Sequence, residues 1–238
     1  MKPRHYLINF ILLIKDFLFP STCALCEKSL KGAQEIRFGL CSDCKDTITI
    51  EQGARCGLCG KPLVSEIETC LPCRNSAHSF ERLWVLYPYT GRYRKILTAY
   101  KFGKKLPVAD FFAEKTLALM DGEPLLSHAV IVPVPPRPGK IKHSGWDQIE
   151  HLVKTMGKRS GKNISRVLKR SKSKVQKELN RTERLENLKG RIYAEGSVPE
   201  TALIIDDVIT TGSTMEVCAQ ALKQAGAKRV YGLCLFYD

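Results

Sequence analysis

The chain has 238 residues, 44% of them hydrophobic, and Lys and Arg give it a formal charge of +14 at pH 7. That length allows one full α/β domain plus a smaller module, and the composition argues against a disordered chain or a multi-span membrane protein. The basic balance favours polyanionic partners, namely nucleic acid, phosphorylated ligands or an acidic membrane surface, although excess Lys and Arg also serves solubility alone.

Lys2, Arg4 and His5 precede an apolar stretch, Tyr6–Phe19, in the manner of a signal peptide. The stretch is too short to span a bilayer, is broken by Lys15 and Asp16, and has no small-x-small cleavage site after it. Leu7, Ile11, Ile14 and Leu18 share one helical face. Residues 1–20 therefore read as an amphipathic helix packed on the protein, with membrane contact as the alternative. The expected compartment is the cytoplasm, with no stable membrane insertion.

Eight of the ten cysteines form four Cys-x-x-Cys pairs: Cys23 and Cys26, Cys41 and Cys44, Cys56 and Cys59, Cys70 and Cys73. A secreted disulfide framework would not leave the remaining two-thirds of the chain with only Cys218 and Cys234, so metal ligation in a reducing compartment fits better. Each pair presents two thiolates to one tetrahedral Zn²⁺, and four pairs supply two closed Cys₄ sites for structural zinc. The gaps favour sequential pairing as a double zinc ribbon over residues 21–76, with crossed pairing as the alternative. Gly57 and Gly60 suit the tight turn of a knuckle. Disulfides and an iron–sulfur cluster are the competing readings.

From Phe80 onward, short apolar runs alternate with amphipathic stretches, the signature of a parallel sheet flanked by helices. Strands are expected at Leu83–Leu86, Ala129–Val134, Ala202–Ile205 and Val230–Phe236. Helices are expected at Tyr93–Phe102, Val108–Met120, Trp146–Lys158 and Thr214–Ala225, the last stopped by Gly226. Arg170–Arg191, dense in Lys and Arg, reads as a mobile surface segment.

The run Ala202–Ile205 leads into Asp206-Asp207 and then Thr210-Thr211-Gly212-Ser213-Thr214. Backbone N–H groups of such a turn can converge on a phosphate at the positive end of a helix dipole, with Gly212 allowing close approach. Carboxylates at a strand's C-terminal end can accept hydrogen bonds from ribose hydroxyls and help hold Mg²⁺ through water. A single helix cap would account for Ser213 but not for two acids followed by a cluster of hydroxyl residues around one glycine.

Leu203-Ile-Ile-Asp-Asp-Val-Ile-Thr-Thr-Gly-Ser-Thr214 resembles the loop of type I phosphoribosyltransferases that binds 5-phosphoribosyl pyrophosphate (PRPP). The resemblance implies a catalytic acidic pair, Asp206 and Asp207, on the ribose hydroxyls. It also implies a 5-phosphate held by Thr210, Thr211, Gly212, Ser213 and Thr214, with Mg²⁺ accompanying PRPP. Further segments resemble the ComF family, a competence-associated branch of this fold. They are Val132-Pro-Val-Pro135, Gly145-Trp-Asp-Gln148, Gln176-x-x-Leu179-x-Arg181-x-x-Arg184-x-x-Asn187-x-x-Gly190, and Tyr89-x-Gly91 with Lys101 downstream. The resemblance covers nearly the whole chain. It implies a type I phosphoribosyltransferase-like domain over residues 80–238 behind the zinc-ribbon module, and Gln176, Arg181, Arg184 and Lys101 as further PRPP-binding residues. Arg181 and Arg184 could grip pyrophosphate bidentately and exclude water. Since Glu183 and Glu186 interleave with them, a solvated helical face is the competing reading.

The chain departs from the family pattern at Ser144, where an Arg is usual, and at Asp147, where an Asn is usual. A carboxylate there repels pyrophosphate unless Mg²⁺ intervenes, with Lys140, Lys142 or His143 available to compensate. Three functions follow. The first is a PRPP-binding protein of DNA uptake in natural transformation, contacting single-stranded DNA through a stripe of Arg166, Lys169, Arg170, Lys172, Lys174 and Lys177; uptake-machinery proteins are further possible partners. The second is an active phosphoribosyltransferase acting on an unidentified nitrogen acceptor. The third is a PRPP-responsive regulator, disfavoured because no helix-turn-helix pattern is present.

Overall fold

The computed structural model describes residues 21–50, 53–65, 67–171 and 190–238. The helix expected over residues 1–20 and the residues Gln176, Arg181 and Arg184 lie outside the described residues. The strands are β1 (Arg82–Pro88), β2 (Val130–Pro133), β3 (Leu168–Arg170), β4 (Ile192–Ala194), β5 (Thr201–Ile209) and β6 (Arg229–Tyr237). The longer helices are α1 (Gly91–Lys101), α2 (Val108–Gly122), α3 (Gln148–Ser160) and α4 (Ser213–Gln224), and short helical turns occur in the cysteine region. No helix among the described residues is long and apolar enough to cross a membrane.

The described residues divide into two compact units, one comprising those through Thr49 with Gly91–Phe111, the other those of Ile50–Thr90 with Phe112–Asp238. In the first unit, Phe38 and Tyr100 are fully enclosed, and Phe38 meets Phe111 edge-on with ring centroids 6.4 Å apart. Burying such aromatic side chains stabilises a small unit by roughly 1.5–3 kcal/mol each.

The second unit is built on a parallel sheet in the order β1-β6-β5-β2. Ala202–Ile205 has no solvent exposure, as a strand flanked by β2 and β6 and packed by helices requires. Helix α4 packs on β5 and β6, and α3 on β2 and β5. Close approach of α4 depends on Gly232 of β6, since a Cβ there would stand 2.9 Å from Met215 Sδ and 3.0 Å from Leu83 Cδ1.

Two local features differ from expectation. Strand β5 does not end at Ile205 but runs to Ile209, because β6 stays paired with it through Ile209↔Tyr237. On the other side, β2 stops at Pro133↔Ile205, and Val134 N makes the final bond to Ile205 O at 3.0 Å. Pro133 and Pro135 lack the N–H a longer ladder would need. Asp206 and Asp207 thus stand in a strand with one open edge. The second feature is the antiparallel pair β3 and β4, with Arg170 opposite Ile192, which brackets the basic segment. Strands of three residues are too short to leave a period-2 apolar signal.

Candidate phosphate-binding site and metal centres

In each cysteine cluster the four Sγ atoms lie within 4.8 Å of one another: Cys23, Cys26, Cys41 and Cys44 in the first unit, Cys56, Cys59, Cys70 and Cys73 in the second. Cys26 and Cys41 sulfurs are 3.6 Å apart, and Cys59 and Cys70 sulfurs 3.7 Å. Four sulfurs at about 2.3 Å from a tetrahedral zinc sit roughly 3.8 Å from one another, whereas a disulfide needs about 2.05 Å. The donor set fits structural zinc, and the pairing is sequential, not crossed. Burial by itself raises the Cys56 thiol. The N–H groups of Cys59 and Cys70, 3.5 and 3.4 Å from its sulfur, act with that of Leu58 to bring it down to about 6. Burial pushes Cys59 and Cys73 of the same group up instead, so without a cation the four thiols do not all ionise together, and the charge of a metal would be what holds them as thiolates. Burial, reinforced by the nearby charge of Asp206, instead holds Cys218 and Cys234 well above the ordinary thiol range, so both stay protonated.

The candidate phosphate loop begins with the acidic pair. Asp206 is partly exposed, and its Oδ1 accepts from Asp207 N at 2.8 Å. Asp207 is 7% exposed; its Oδ1 accepts from Val208 N at 2.9 Å and its Oδ2 from Gln148 Nε2 at 2.7 Å. A buried carboxylate bonded through both oxygens is held in one orientation. Beyond Ile209, Gly212 adopts φ +78°, in the left-handed region, and opens α4 with no side-chain cap. A Cβ at Gly212 would have only Ile209 Cδ1 within 4 Å, at 3.7 Å, so the conformation rather than crowding requires glycine. Thr211 Oγ1 and Ser213 Oγ share a hydrogen bond of 2.9 Å inside the turn. Ser213 N also donates to Thr211 Oγ1, at 3.4 Å. The N–H groups of a helix's first turn, with the positive dipole end, form an anion site. Asp206, Ile209, Thr210–Met215 and Cys234 line a small hollow there. A larger groove of about 610 Å³, bordered by Tyr193, Gln220 and Gln224, has no charged side chain among the described residues of its lining.

The departure at Asp147 has a local cause. Asp147 caps α3, its Oδ1 accepting from Ile149 N and Glu150 N at 2.9 Å each, while Oδ2 accepts from Lys140 Nζ at 2.5 Å. Its charge is answered by the helix and by Lys140, which moderates the repulsion expected toward a pyrophosphate. Lys140 also donates to Gln148 Oε1, so one line of contacts joins Lys140, Gln148 and Asp207. Gln148 is the site residue sequence reasoning did not assign, and its place just after a capping Asp was the available signal. Ser144 donates to the Lys140 and Trp146 carbonyls and keeps its own turn closed.

Arg170 lies near the acidic pair. Burial pushes its guanidinium down, Arg137 beside it adds to the effect, and Asp206 opposes it. Arg166, placed with it on a DNA-tracking stripe, is paired with Glu150 at 2.5 Å, and Lys172, Lys174 and Lys177 lie outside the described residues. Lys101 ends α1 in the first unit, its Nζ 5.8 Å from the Phe102 ring centroid. The acidic pair and the Thr210–Thr214 turn are thus brought together, as are the eight cysteines in two groups.

A family model described as a double zinc ribbon domain matches residues 14–74, and one described as a phosphoribosyl transferase domain matches residues 153–238. The chain is 29% identical over 196 residues to competence protein ComFC of Streptococcus pneumoniae, spanning 80% of this chain and 84% of that protein. It is 26% identical over 232 residues to competence protein F of Haemophilus influenzae, spanning 90% and 97%. With DNA utilization protein YhgH of Salmonella typhi the identity is 28% over 228 residues, spanning 91% and 96%. Both domain signatures occur in one chain, and these relatives align with it along most of its length, so the chain is similar from its zinc ribbon to its phosphoribosyl transferase domain to the ComF-type competence proteins.

Proposed function

We propose that the chain binds PRPP with Mg²⁺ at the C-terminal end of β5 and acts on DNA during uptake, in keeping with the names of its competence and DNA-utilization relatives. One observation carries the proposal. An oriented acidic pair at an open strand end is followed, after a left-handed glycine, by a helix N-terminus with no side-chain cap. Vicinal ribose hydroxyls are donors suited to Asp206 and Asp207, and the 5-phosphate suits the Thr210–Thr214 turn. Mg²⁺ would supply positive charge between the carboxylates and the pyrophosphate. Arg170 offers a cation near Asp206, and Gln176, Arg181, Arg184 and Lys101 are further ligands in this proposal. Arg166, just before β3, and Lys169 and Arg170, on β3, are the described part of the surface proposed for single-stranded DNA.

A thermal-stability screen against PRPP, nucleotides and single-stranded DNA, each with and without Mg²⁺, tests the proposal. PRPP is expected to raise the melting temperature only with Mg²⁺, and single-stranded DNA to raise it in low salt. No shift with PRPP and Mg²⁺ would contradict the proposal. Pyrophosphate release that depends on an added base would extend it to a transferase.

A further inference from the structure

We infer that Lys61 of the second zinc knuckle is a positioning residue for the phosphate loop, so that ligand capture at Thr210–Thr214 depends on the metal site of Cys56, Cys59, Cys70 and Cys73. This rests on the proposed role of that loop. Lys61 Nζ donates to the carbonyl oxygen of Thr210 at 3.0 Å and to that of Asp238 at 2.5 Å. Thr210 follows β5 directly, Asp238 follows β6, and Asp238 N in turn donates to Ile209 O at 3.0 Å. One ammonium therefore ties the exits of two adjacent strands at the point where the loop begins.

The direction of the Thr210 carbonyl matters because a trans peptide aims the following N–H the opposite way. No cis peptide is present among the described residues, so holding this oxygen to Lys61 sets where the Thr211 N–H points. That N–H belongs to the turn proposed to receive the phosphate. Lys61 is itself held by the knuckle. Its carbonyl accepts from Cys56 N at 2.9 Å, and Gly60 N donates to Cys56 O at 3.0 Å, so the ligand-bearing turn fixes the lysine backbone.

The knuckle is also docked on the sheet. Leu83 N of β1 donates to Leu58 O at 2.7 Å, between the two metal ligands Cys56 and Cys59. Gly60 lies so close that a Cβ would stand 2.4 Å from Leu83 O. The Arg55 guanidinium stands 5.9 Å from the Tyr237 ring centroid. These contacts leave little freedom between the metal turn and the loop, and a four-carbon lysine stem bridges the remaining distance.

The test compares wild-type full-length protein with Lys61→Met and Lys61→Arg by three readouts: zinc content, hydrogen exchange of the Thr210–Thr214 amides without ligand, and affinity for PRPP with Mg²⁺. Lys61→Met is expected to keep its zinc, to exchange faster through the loop, and to bind PRPP about 10-fold more weakly, the scale of one lost charged hydrogen bond. Lys61→Arg, which still donates to carbonyls, is expected to restore most of the protection. Unchanged loop exchange in Lys61→Met at full zinc overturns the inference. Loss of zinc in both variants also overturns it, since the lysine would then serve the knuckle's fold. Faster loop exchange in Lys61→Met beside a wild type that binds no PRPP supports the positioning role and removes the PRPP proposal alone.

Discussion

At corresponding places the two zinc knuckles make the same backbone bonds: Cys23 N to Lys28 O and Cys56 N to Lys61 O, both 2.9 Å, then Glu27 N to Cys23 O and Gly60 N to Cys56 O, both 3.0 Å. Each places the residue after its second cysteine in the left-handed region, Glu27 at φ +65° and Gly60 at φ +68°. Glu27 is exposed and keeps its side chain, whereas Gly60 is buried against the Leu83 carbonyl, where even a Cβ does not fit. The metal turn thus dictates the conformation in both knuckles, but the neighbouring strand dictates the residue only in the second. Lys28 and Lys61 correspond in the same way, and it is Lys61 that reaches the Thr210 carbonyl.

The largest expected effect comes from removing a ligand. Structural zinc contributes roughly 10–16 kcal/mol to such modules, so Cys59→Ser should halve the zinc bound per chain and unfold its knuckle. Metal analysis with limited proteolysis over residues 53–74 would show it, and full retention of zinc would contradict the Cys₄ assignment. Next is Gly60→Ala, which combines left-handed strain with a clash on Leu83 O. It should cost about 3 kcal/mol and lower the melting temperature by roughly 6–12 °C. The smallest is Glu27→Gly at the matching position. Relief of strain and the added flexibility of glycine nearly cancel, so stability should stay within about 0.5 kcal/mol of wild type in a denaturant melt. Equal losses at Glu27 and Gly60 would break the comparison.

Much of this was legible locally. Continuous apolar runs announced β1, β2, β5 and β6, and cysteine spacing announced both metal groups, since those signals depend only on near neighbours in sequence. Gly60 was legible as a turn residue, but for an incomplete reason: Glu27 makes the same turn, and glycine is required by packing on Leu83. Asp147 stood out as a departure from a family pattern, while the helix expected from Trp146 begins instead at Gln148 because the Asp147 side chain caps it. The contacts of Gln148 with Asp207 and of Lys61 with Thr210 join residues far apart in the chain, and no local pattern encodes them. Strands β3 and β4 were illegible because three residues are too few to carry a periodicity.

The central claim is that a phosphoribosyl group sits between Asp207 and the Thr210–Thr214 turn. Calorimetric titration of PRPP with Mg²⁺ into wild type and Asp207→Asn measures it most directly. Saturable binding by wild type, weakened about 10- to 100-fold in Asp207→Asn, is the predicted result. No binding by wild type, or equal affinity in the two proteins, would contradict it.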